Sequence, residues 1–337
     1  MKRFVSLLLA TLLVAATSIG LGGCAKKNNV DYVVGISKFV TVAPLDQARD
    51  GFVNKLTELL AADNKTVEFD DKDASADASQ AQTIATTFVS KKVDLIYAIA
   101  TPSAITAKTA ADGTIPVVFC AVTDPADPAT GLVASYESTG GNITGASDKN
   151  PIKDQLALFQ ELYGDVQVTK IAIIYSAEPN SVAQLQMLQT ACDEAGITLV
   201  PKLIASTAEL QTQFQAISDD AEIMGIYLGA DNMVADGAAS IKSFNQEITR
   251  LPIVVNDSGF MRECGGIASF GFEYYKMGEA AAEMAYRILT GKAKAEDIPV
   301  YFQPTSELLL DLNYEAAESI GFALPQAVKE RFEAQTN

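Results

Sequence analysis

Two short segments of the sequence carry residue types that can bind opposite charges. Thr101 is followed by Pro102, a pair typical of a helix start. A helix start offers free backbone N–H groups and the positive end of the helix dipole, and both attract an anion such as a carboxylate. Asp231, next to Asn232, offers an anionic acceptor that can hold an ammonium group. Helix capping alone can explain Thr101-Pro102 or Asp231-Asn232. The two pairs can form a binding site only if the fold brings them close together.

Similar polar groups follow most of the predicted strands. In open parallel sheets, ligands bind in the crevice beyond the carboxyl ends of the strands. We therefore expect these groups to line one crevice, where a helix start for an anion and Asp231 for a cation would suit a zwitterion. Phe39 lies near a strand end and could face an apolar group, although core packing is the more common role of such a residue. The candidate ligand-binding residues are Ser37, Phe39, Thr101, Ser103, Thr123, Asp124, Asn180, Ser181, Asp231 and Asn256.

Composition excludes several classes of function. The chain has no histidine, which removes His-dependent catalytic triads, His-bearing zinc sites and the commonest general base. It also lacks a G-x-S-x-G elbow, a P-loop and a G-x-G-x-x-G after the first strand. We therefore predict no catalytic residues, no metal and no cofactor, and a protein that is not an enzyme. The formal charge of −17 argues against nucleic acid as a partner.

The N-terminus resembles the signal peptide of a bacterial lipoprotein. Lys2 and Arg3 precede an apolar run, which is followed by Leu-Gly-Gly-Cys ending at Cys24. This ending resembles the lipobox, in which the cysteine is acylated (for example with palmitate) and becomes the first residue. We predict that Cys24 is lipidated and anchors the protein to the cell membrane on its extracytoplasmic face, periplasmic or outer. The alternative is a single N-terminal anchor helix.

Three cysteines remain after Cys24. They are Cys120, Cys192 and Cys264, widely spaced and odd in number, which is typical of neither a disulfide framework nor a zinc site. Cys120 closes an apolar run and is expected to be buried. A disulfide between two of the three is left open by the sequence.

The body of the chain alternates predicted strands and helices in two successive halves. In the second half, Ile171, Leu199, Ile226 and Ile253 mark strands at intervals of 28, 27 and 27 residues, which suit βαβ units. The Gly-rich segment 140–145 is predicted to be a crossing strand or hinge between the halves. The sequence thus predicts an α/β fold of two Rossmann-like lobes, with a tail that recrosses between them.

Several ordered motifs resemble one family of bacterial substrate-binding lipoproteins that serve ABC importers. The family is associated with the uptake of tryptophan, tyrosine or phenylalanine. The resemblance extends from about residue 30 to about residue 321, and it implies a type I periplasmic-binding-protein fold whose two lobes are joined by a three-crossing hinge. The motifs are VGIS at 34–37, PLDQARDGF at 44–52, AIATP at 98–102, PVVF at 116–119, AVTDP at 121–125, GNITG at 141–145, Asp231-Asn232 and GFEYY at 271–275.

The resemblance also implies roles for matching residues. It assigns the ligand carboxylate to Thr101 and Ser103, and the α-amino group to Asp231. The walls of the crevice would be formed by Thr123 and Asp124 in the first lobe and by Asn180 and Ser181 in the second. The chain departs from the family pattern at 37–39, where a polar amide is expected, and at 256–258, where an acidic residue is more usual. The sequence therefore leaves the ligand's side chain open.

Taken together, these features predict a monomeric, lipid-anchored solute receptor. It would capture a small ligand, an aromatic or large apolar amino acid, and deliver it to the permease and ATPase of an ABC importer. The alternative is a sensory or surface receptor lipoprotein of the same fold that binds another small solute. The predicted organisation is a signal peptide at 1–23, a lipidated tether at 24–30, an N-terminal lobe at 31–145 plus about 272–298, and a C-terminal lobe at 146–271 plus about 299–325.

Overall fold

The first of two six-stranded sheets contains the strands from the N-terminal half of the chain. A computed structural model describes residues 30–128, 130–304 and 307–336. All the paired strands of this sheet run parallel, and their spatial order is β11-β5-β4-β3-β1-β2. The strands are β1 (Tyr32–Lys38), β2 (Val67–Asp73), β3 (Leu95–Ile99), β4 (Val117–Val122), β5 (Ile143–Ser147) and β11 (Tyr301–Phe302).

The second sheet repeats this arrangement with strands from the C-terminal half. Its order is β12-β10-β9-β8-β6-β7, and β12 runs antiparallel to β10 while the other described pairs are parallel. Both sheets are buried beneath helices, so their central strands are continuously apolar, as in β3 and β8. The strands are β6 (Lys170–Tyr175), β7 (Thr198–Leu203), β8 (Ile226–Leu228), β9 (Ile253–Val255), β10 (Ala268–Gly271) and β12 (Leu309–Leu312).

Twelve described helices cover the two sheets. Short 3₁₀ turns occur at Thr207–Glu209 and Ala295–Asp297, and a π-helical turn at Asn245–Thr249. The helices are α1 (Ala43–Ala62), α2 (Ala78–Lys91), α3 (Thr101–Ala111), α4 (Ile152–Tyr163), α5 (Pro179–Ala195), α6 (Leu210–Ser218), α7 (Asn232–Asp236), α8 (Ala238–Phe244), α9 (Ser258–Cys264), α10 (Tyr274–Leu289), α11 (Tyr314–Ser319) and α12 (Gln326–Thr336).

The chain passes between the sheets three times: after β5, after β10, and between β11 and β12. We call the first sheet with α1, α2, α3 and α10 the first lobe, and the second sheet with α4 to α9, α11 and α12 the second lobe. This architecture confirms the predicted fold of two Rossmann-like α/β lobes with three crossings. The carboxyl ends of the parallel strands of both sheets carry the segments singled out in the sequence.

Close packing of α1 against α10 fixes the first lobe. A Cβ atom on Gly51 would lie 2.0 Å from the carbonyl oxygen of Tyr275, and one on Gly278 would lie 2.1 Å from the carbonyl oxygen of Ala48. Both positions therefore need glycine, because real Cβ atoms do not approach backbone oxygens that closely. Phe52 of α1 also stacks on Tyr97 of β3, with 3.7 Å between ring centroids. These contacts hold the start of α1 at the edge of the sheet, where the candidate site lies.

The three cysteines of the folded body are free and buried, so none forms the disulfide that the sequence left open. Burial raises the pKa of each thiol to about 12. Within residues 30–336 as described, no helix has both the length and the apolar character needed to cross a membrane. The predicted signal peptide and the lipidation site Cys24 lie outside the described residues.

Candidate functional site

A cavity lies between the two sheets, at the carboxyl ends of β4, β8 and β9. Its volume is about 30 Å³, which is room for roughly two water molecules. The first lobe contributes the start of α1 and the segment after β4, and the second lobe contributes the segments after β6, β8 and β9. The lining residues are Val42, Pro44, Leu45, Ala121, Thr123, Asp148, Asn180, Gly229, Ala230, Asp231, Asn232, Ala235, Asn256, Phe260 and Tyr274.

The predicted site residues divide into two groups. Thr123, Asn180, Asp231 and Asn256 line this cavity, and they come from both lobes. Six others stand outside its lining: Ser37, Phe39, Thr101, Ser103, Asp124 and Ser181. The strand-end argument therefore brings four of the ten residues to one place, and the packing explains where the remaining six lie.

The start of α3 lies within the first lobe. Its N-cap is Ala100, with a φ of 80° and no side-chain cap, so Thr101 is the first helical residue rather than the predicted cap. The Thr101 hydroxyl is buried and has no hydrogen-bond partner among the described residues. The Ser37 and Ser103 hydroxyls are buried and 3.4 Å apart. This group of three hydroxyls surrounds a helix start whose own side-chain cap is missing.

Two more predicted residues have partners away from the cavity. Phe39 is buried in the main apolar core. The Asp124 carboxylate accepts hydrogen bonds from the Tyr136 hydroxyl at 2.6 Å and from Lys149 Nζ at 2.8 Å, so its charge is paired there. Lys38, which stands where the family pattern has an amide, is almost buried and pairs with Asp46 and Asp73.

Asp231 organises the wall of the second lobe. Its Oδ2 accepts hydrogen bonds from the amide of Ser176, at 2.6 Å, and from the Ser181 hydroxyl. Its Oδ1 accepts one from the amide of Val234, at 3.0 Å, which caps α7. Both oxygens therefore have protein donors, and the capping role considered from the sequence is present in the structure.

Glu178 lies behind this wall and was not selected from the sequence. Its carboxylate accepts a hydrogen bond from Asn232 Nδ2 at 2.7 Å. Burial, together with the negative charge of Asp231, raises the pKa of Glu178 to about 7. The second-lobe side of the cavity is thus strongly acidic.

A second carboxylate that the sequence analysis missed, Asp148, lines the cavity from the crossing after β5. The Tyr274 hydroxyl donates to its Oδ2 at 2.7 Å, and Asn256 Nδ2 donates to the Tyr274 hydroxyl at 3.2 Å. Burial raises the pKa of Asp148 to about 6, although the hydroxyls of Tyr274 and Thr123 act against the rise. Asp148 follows a strand just as the selected residues do, but the sequence predicts a crossing strand or hinge there and not a strand of one sheet.

The charged side chains that line the cavity are all carboxylates. Asp148 and Asp231 are present, and the lining within the described chain contains no lysine or arginine. The described residues also contain no group of three potential metal ligands. Apolar groups from the start of α1 and from Phe260 of α9 form another part of the lining. The site can therefore accept a cationic group beside an apolar one.

Comparisons with known proteins cover most of the chain. The family described as "ABC transporter substrate binding protein" matches residues 33–334. A tyrosine-binding protein of Clostridioides difficile (strain R20291) is 33% identical over 279 residues, which is 82% of this chain and 78% of that protein.

Two solved structures with type I folds are similar in sequence as well as in shape. An ABC domain from Streptococcus pneumoniae in complex with L-Trp is 29% identical, with a TM-score of 0.80 over 89% of this chain and 97% of that one. A ligand-free, open structure of a substrate-binding protein with adhesive properties from Clostridium difficile is 30% identical. Its TM-score is 0.66 over 88% of this chain and 96% of that one.

Proposed function

Because this chain belongs to the ABC transporter substrate-binding family, whose members are solute-binding proteins and not enzymes, we propose that it captures a free amino acid. The ligand would carry an aromatic or large apolar side chain, bind between the two lobes and be delivered to the permease of an ABC importer. The observation that carries the proposal is the cavity between the sheets, where carboxylates and apolar groups meet. The tyrosine-binding and L-Trp-bound relatives support the same class of ligand.

Charge supports an amino acid as the ligand. Asp148 and Asp231 form an acidic lining that suits the α-amino group. For the carboxylate, we propose the first turn of α3, which carries Thr101 and Ser103 and the positive end of the helix dipole; this turn lies outside the described lining, so the ligand would reach it only when the lobes part. The buried Thr101 hydroxyl, without a partner in the described chain, supports this assignment.

The side chain of the ligand would meet the apolar lining. Val42, Pro44 and Leu45 stand at the start of α1, and Phe260 lies opposite in α9. These groups suit an aromatic or aliphatic side chain better than a sugar, which would more often be met by aromatic stacking platforms, and the chain has no tryptophan.

The described arrangement of the lobes would be the closed one. The chain superposes better on the L-Trp complex, with a TM-score of 0.80, than on the open, ligand-free relative, with 0.66, although the identities are nearly equal. The cavity of about 30 Å³ is also smaller than an amino acid, so the ligand-bound form would need more space between the lobes than the described arrangement leaves. Entry and release would therefore require the lobes to part around their three crossings.

This motion predicts a change of shape on binding. We expect a smaller radius of gyration in small-angle scattering at saturating ligand than in ligand-free protein, because only the closed form contacts ligand from both sides. The protein should first be unfolded and refolded to remove any ligand carried through purification. An identical radius in both states would indicate a rigid receptor.

The ligand class is tested by calorimetry with the twenty amino acids on the refolded protein. We expect binding of aromatic or large apolar amino acids and none of glycine or the acidic residues. Mass spectrometry of the solute released on denaturing fresh protein provides an independent identification. If no amino acid binds, the proposed function is wrong and another small solute should be sought.

We also propose that Cys24 is the lipid anchor, since the Leu-Gly-Gly-Cys segment stands directly behind an apolar run. Cys24→Ser should abolish labelling by a fatty-acid probe and move the protein from the membrane to the soluble fraction, because no acyl chain can be attached. Cys120→Ser is the matched control, since that thiol is buried, and it should label normally. Labelling of Cys24→Ser at the parental level would rule out this anchor.

A surface-receptor role is the second candidate. The relative from Clostridium difficile is described as having adhesive properties, and sensory or adhesive receptors can use the same fold. Permease and ATPase genes beside the gene for this chain would favour the importer. Their absence, together with a receptor or adhesion phenotype on deletion, would favour the second candidate.

A further inference from the structure

We propose that Asp148 Oδ1 and Asn180 Oδ1 are the direct acceptors for the ligand's ammonium group, and that Asp231 acts as a structural carboxylate beside them. This inference rests on the proposed function, because it names the atoms by which an amino acid would be recognised. It departs from the role that the family resemblance implies for Asp231. Three features of the cavity carry it.

The first feature is an unused oxygen on Asp148. This side chain is 2% exposed and lines the cavity. Its Oδ2 is engaged by the Tyr274 hydroxyl, and the Thr123 hydroxyl is close enough to lower its pKa, but no donor among the described residues has hydrogen-bond geometry at Oδ1. A buried acceptor without a donor loses the hydrogen bonds that it made to water, so such atoms normally have a partner. A donor bound in the cavity would supply it.

The second feature is an unused oxygen on Asn180, in the second lobe. Asn180 is 5% exposed and lines the same cavity. Its Nδ2 donates to the carbonyl oxygen of Ala230 at 2.7 Å, and this bond fixes the orientation of the amide. The remaining atom, Oδ1, is an acceptor without a partner in the described chain. Both unused atoms in the lining are therefore acceptors, and an ammonium group carries three donors.

The third feature is the state of Asp231. Its two oxygens already accept from the amides of Ser176 and Val234 and from the Ser181 hydroxyl. A carboxylate with three protein donors has less acceptor capacity for a ligand than one with a free oxygen. Asp231 therefore contributes negative charge and holds the wall, while Asp148 contributes the open binding atom.

The surroundings favour a cation at Asp148. Lys149, its neighbour in sequence, points away to Asp124, with 2.8 Å between Nζ and Oδ2. The titratable groups that interact with Asp148 are the phenols of Tyr274 and Tyr227 and the thiol of Cys120, and none of them supplies a positive charge at neutral pH. Burial raises the pKa of Asp148 because it disfavours the charged carboxylate. A bound ammonium group would favour the charged form again and lower that pKa.

The geometry also connects the ligand to lobe closure. Asp148 belongs to the first crossing between the sheets, whereas Asn180 stands at the start of α5 in the second lobe. One ammonium group bound to both atoms would tie the second lobe to the first crossing and so stabilise the closed form. Tyr274, which holds Asp148, begins α10 at the second crossing, so the binding atom is fixed by the hinge itself.

The test compares L-tyrosine with 3-(4-hydroxyphenyl)propionate, which has the same carboxylate and ring but no amino group. In calorimetry, Asp148→Asn should weaken L-tyrosine binding at least tenfold and leave the affinity for the propionate equal or higher. Asn180→Ala should weaken tyrosine binding about fivefold, as expected for a neutral acceptor. Asp70→Asn, an ion-paired aspartate on β2, is the control that should bind both compounds as the parent does.

The outcomes separate the two proposals. If the parent binds tyrosine and Asp148→Asn binds it equally well, the Asp148 assignment is overturned while the function stands. An equal loss for both compounds would mean general damage to the site and would also overturn it. If the parent binds tryptophan instead, L-tryptophan and indole-3-propionate replace the pair. If the parent binds no amino acid, the proposed function fails and this inference with it.

Discussion

Asp231→Ala is expected to weaken amino-acid binding at least thirtyfold and to destabilise the protein by about 2–4 kcal/mol. The substitution removes negative charge from the cavity and leaves the buried amides of Ser176 and Val234 without their acceptor. It also frees the Ser181 hydroxyl, so the second-lobe wall loses the contacts that hold its strand-end segments together. Affinity is measured by calorimetry and stability by urea unfolding.

Asp77→Ala is the matched control for this substitution. Asp77 is also an N-cap, since its Oδ1 accepts from the amides of Ser79 and Gln80 at the start of α2, away from the cavity. Loss of this cap should cost about 1 kcal/mol of stability and leave affinity unchanged. If Asp231→Ala lowers stability but binds its ligand as the parent does, Asp231 is a cap only and the acidic wall has no part in recognition.

The sequence predicted helices and strands well where the spacing of apolar residues agrees with residues typical of the start or end of an element. Periodicity in the sequence predicts helices at 101–111, 152–163 and 274–289, and α3, α4 and α10 have these bounds. The second-half strands occur at the predicted spacing because buried parallel strands must be apolar along their length. The segment 140–145 combined glycine with β-branched residues, and part of it forms β5, which pairs with β4 in the first sheet.

Short elements were harder to predict because a single turn of helix or three strand residues give little periodic signal. The sequence pattern over 233–246 predicts a single helix, but the structure breaks it at Gly237 into α7 and α8 and continues it as a π-helical turn. The helix α9 and the strand β10 were not predicted at all. This matters for the site, because Phe260 of α9 lines the cavity.

The site was predictable to the extent that it follows strand ends. That rule selected Thr123, Asn180 and Asp231 because each follows a strand in its own sheet. It missed Asp148 and Tyr274, which stand where the chain crosses between lobes, since sequence gives no measure of how two sheets face each other. Hydrogen bonds between distant parts of the chain determine which carboxylate keeps a free oxygen. Residue spacing in the sequence does not predict these hydrogen bonds.

The pH dependence of binding gives a further large effect. Burial raises the pKa of Asp148 and of Asp257 to about 6, and that of Glu178 to about 7. The chain has no histidine, so these three carboxyls are the described side chains whose pKa values folding raises into the range between pH 5 and 7.5. Asp63, Asp70 and Asp220 have lowered pKa values and titrate below this window. Free amino acids stay zwitterionic across it, so a change in affinity reports on the protein.

The signs for affinity and stability are opposite. An ammonium ligand binds the charged form of Asp148, so affinity should be full above about pH 6 and fall about tenfold per unit below it. A carboxyl whose pKa is higher in the folded than in the unfolded protein takes up protons on folding. Its contribution to the free energy of unfolding is greatest below the unfolded-state pKa. That contribution is lost as the pH rises through the folded-state pKa. Ligand-free protein should therefore be more stable at pH 5 than at pH 7.5, although it binds its ligand less tightly there.

Calorimetry and urea unfolding at pH 5.0, 6.0 and 7.5 test both signs on one preparation. We expect roughly tenfold weaker binding at pH 5.0 than at pH 7.5, together with a higher free energy of unfolding for the ligand-free protein. Asp148→Asn should flatten the affinity profile, because its side chain is neutral at every pH, whereas Asp70→Asn should keep the parental profile. Equal affinity at pH 5.0 and 7.5 in the parent would contradict a contact between the Asp148 carboxylate and a positive charge on the ligand.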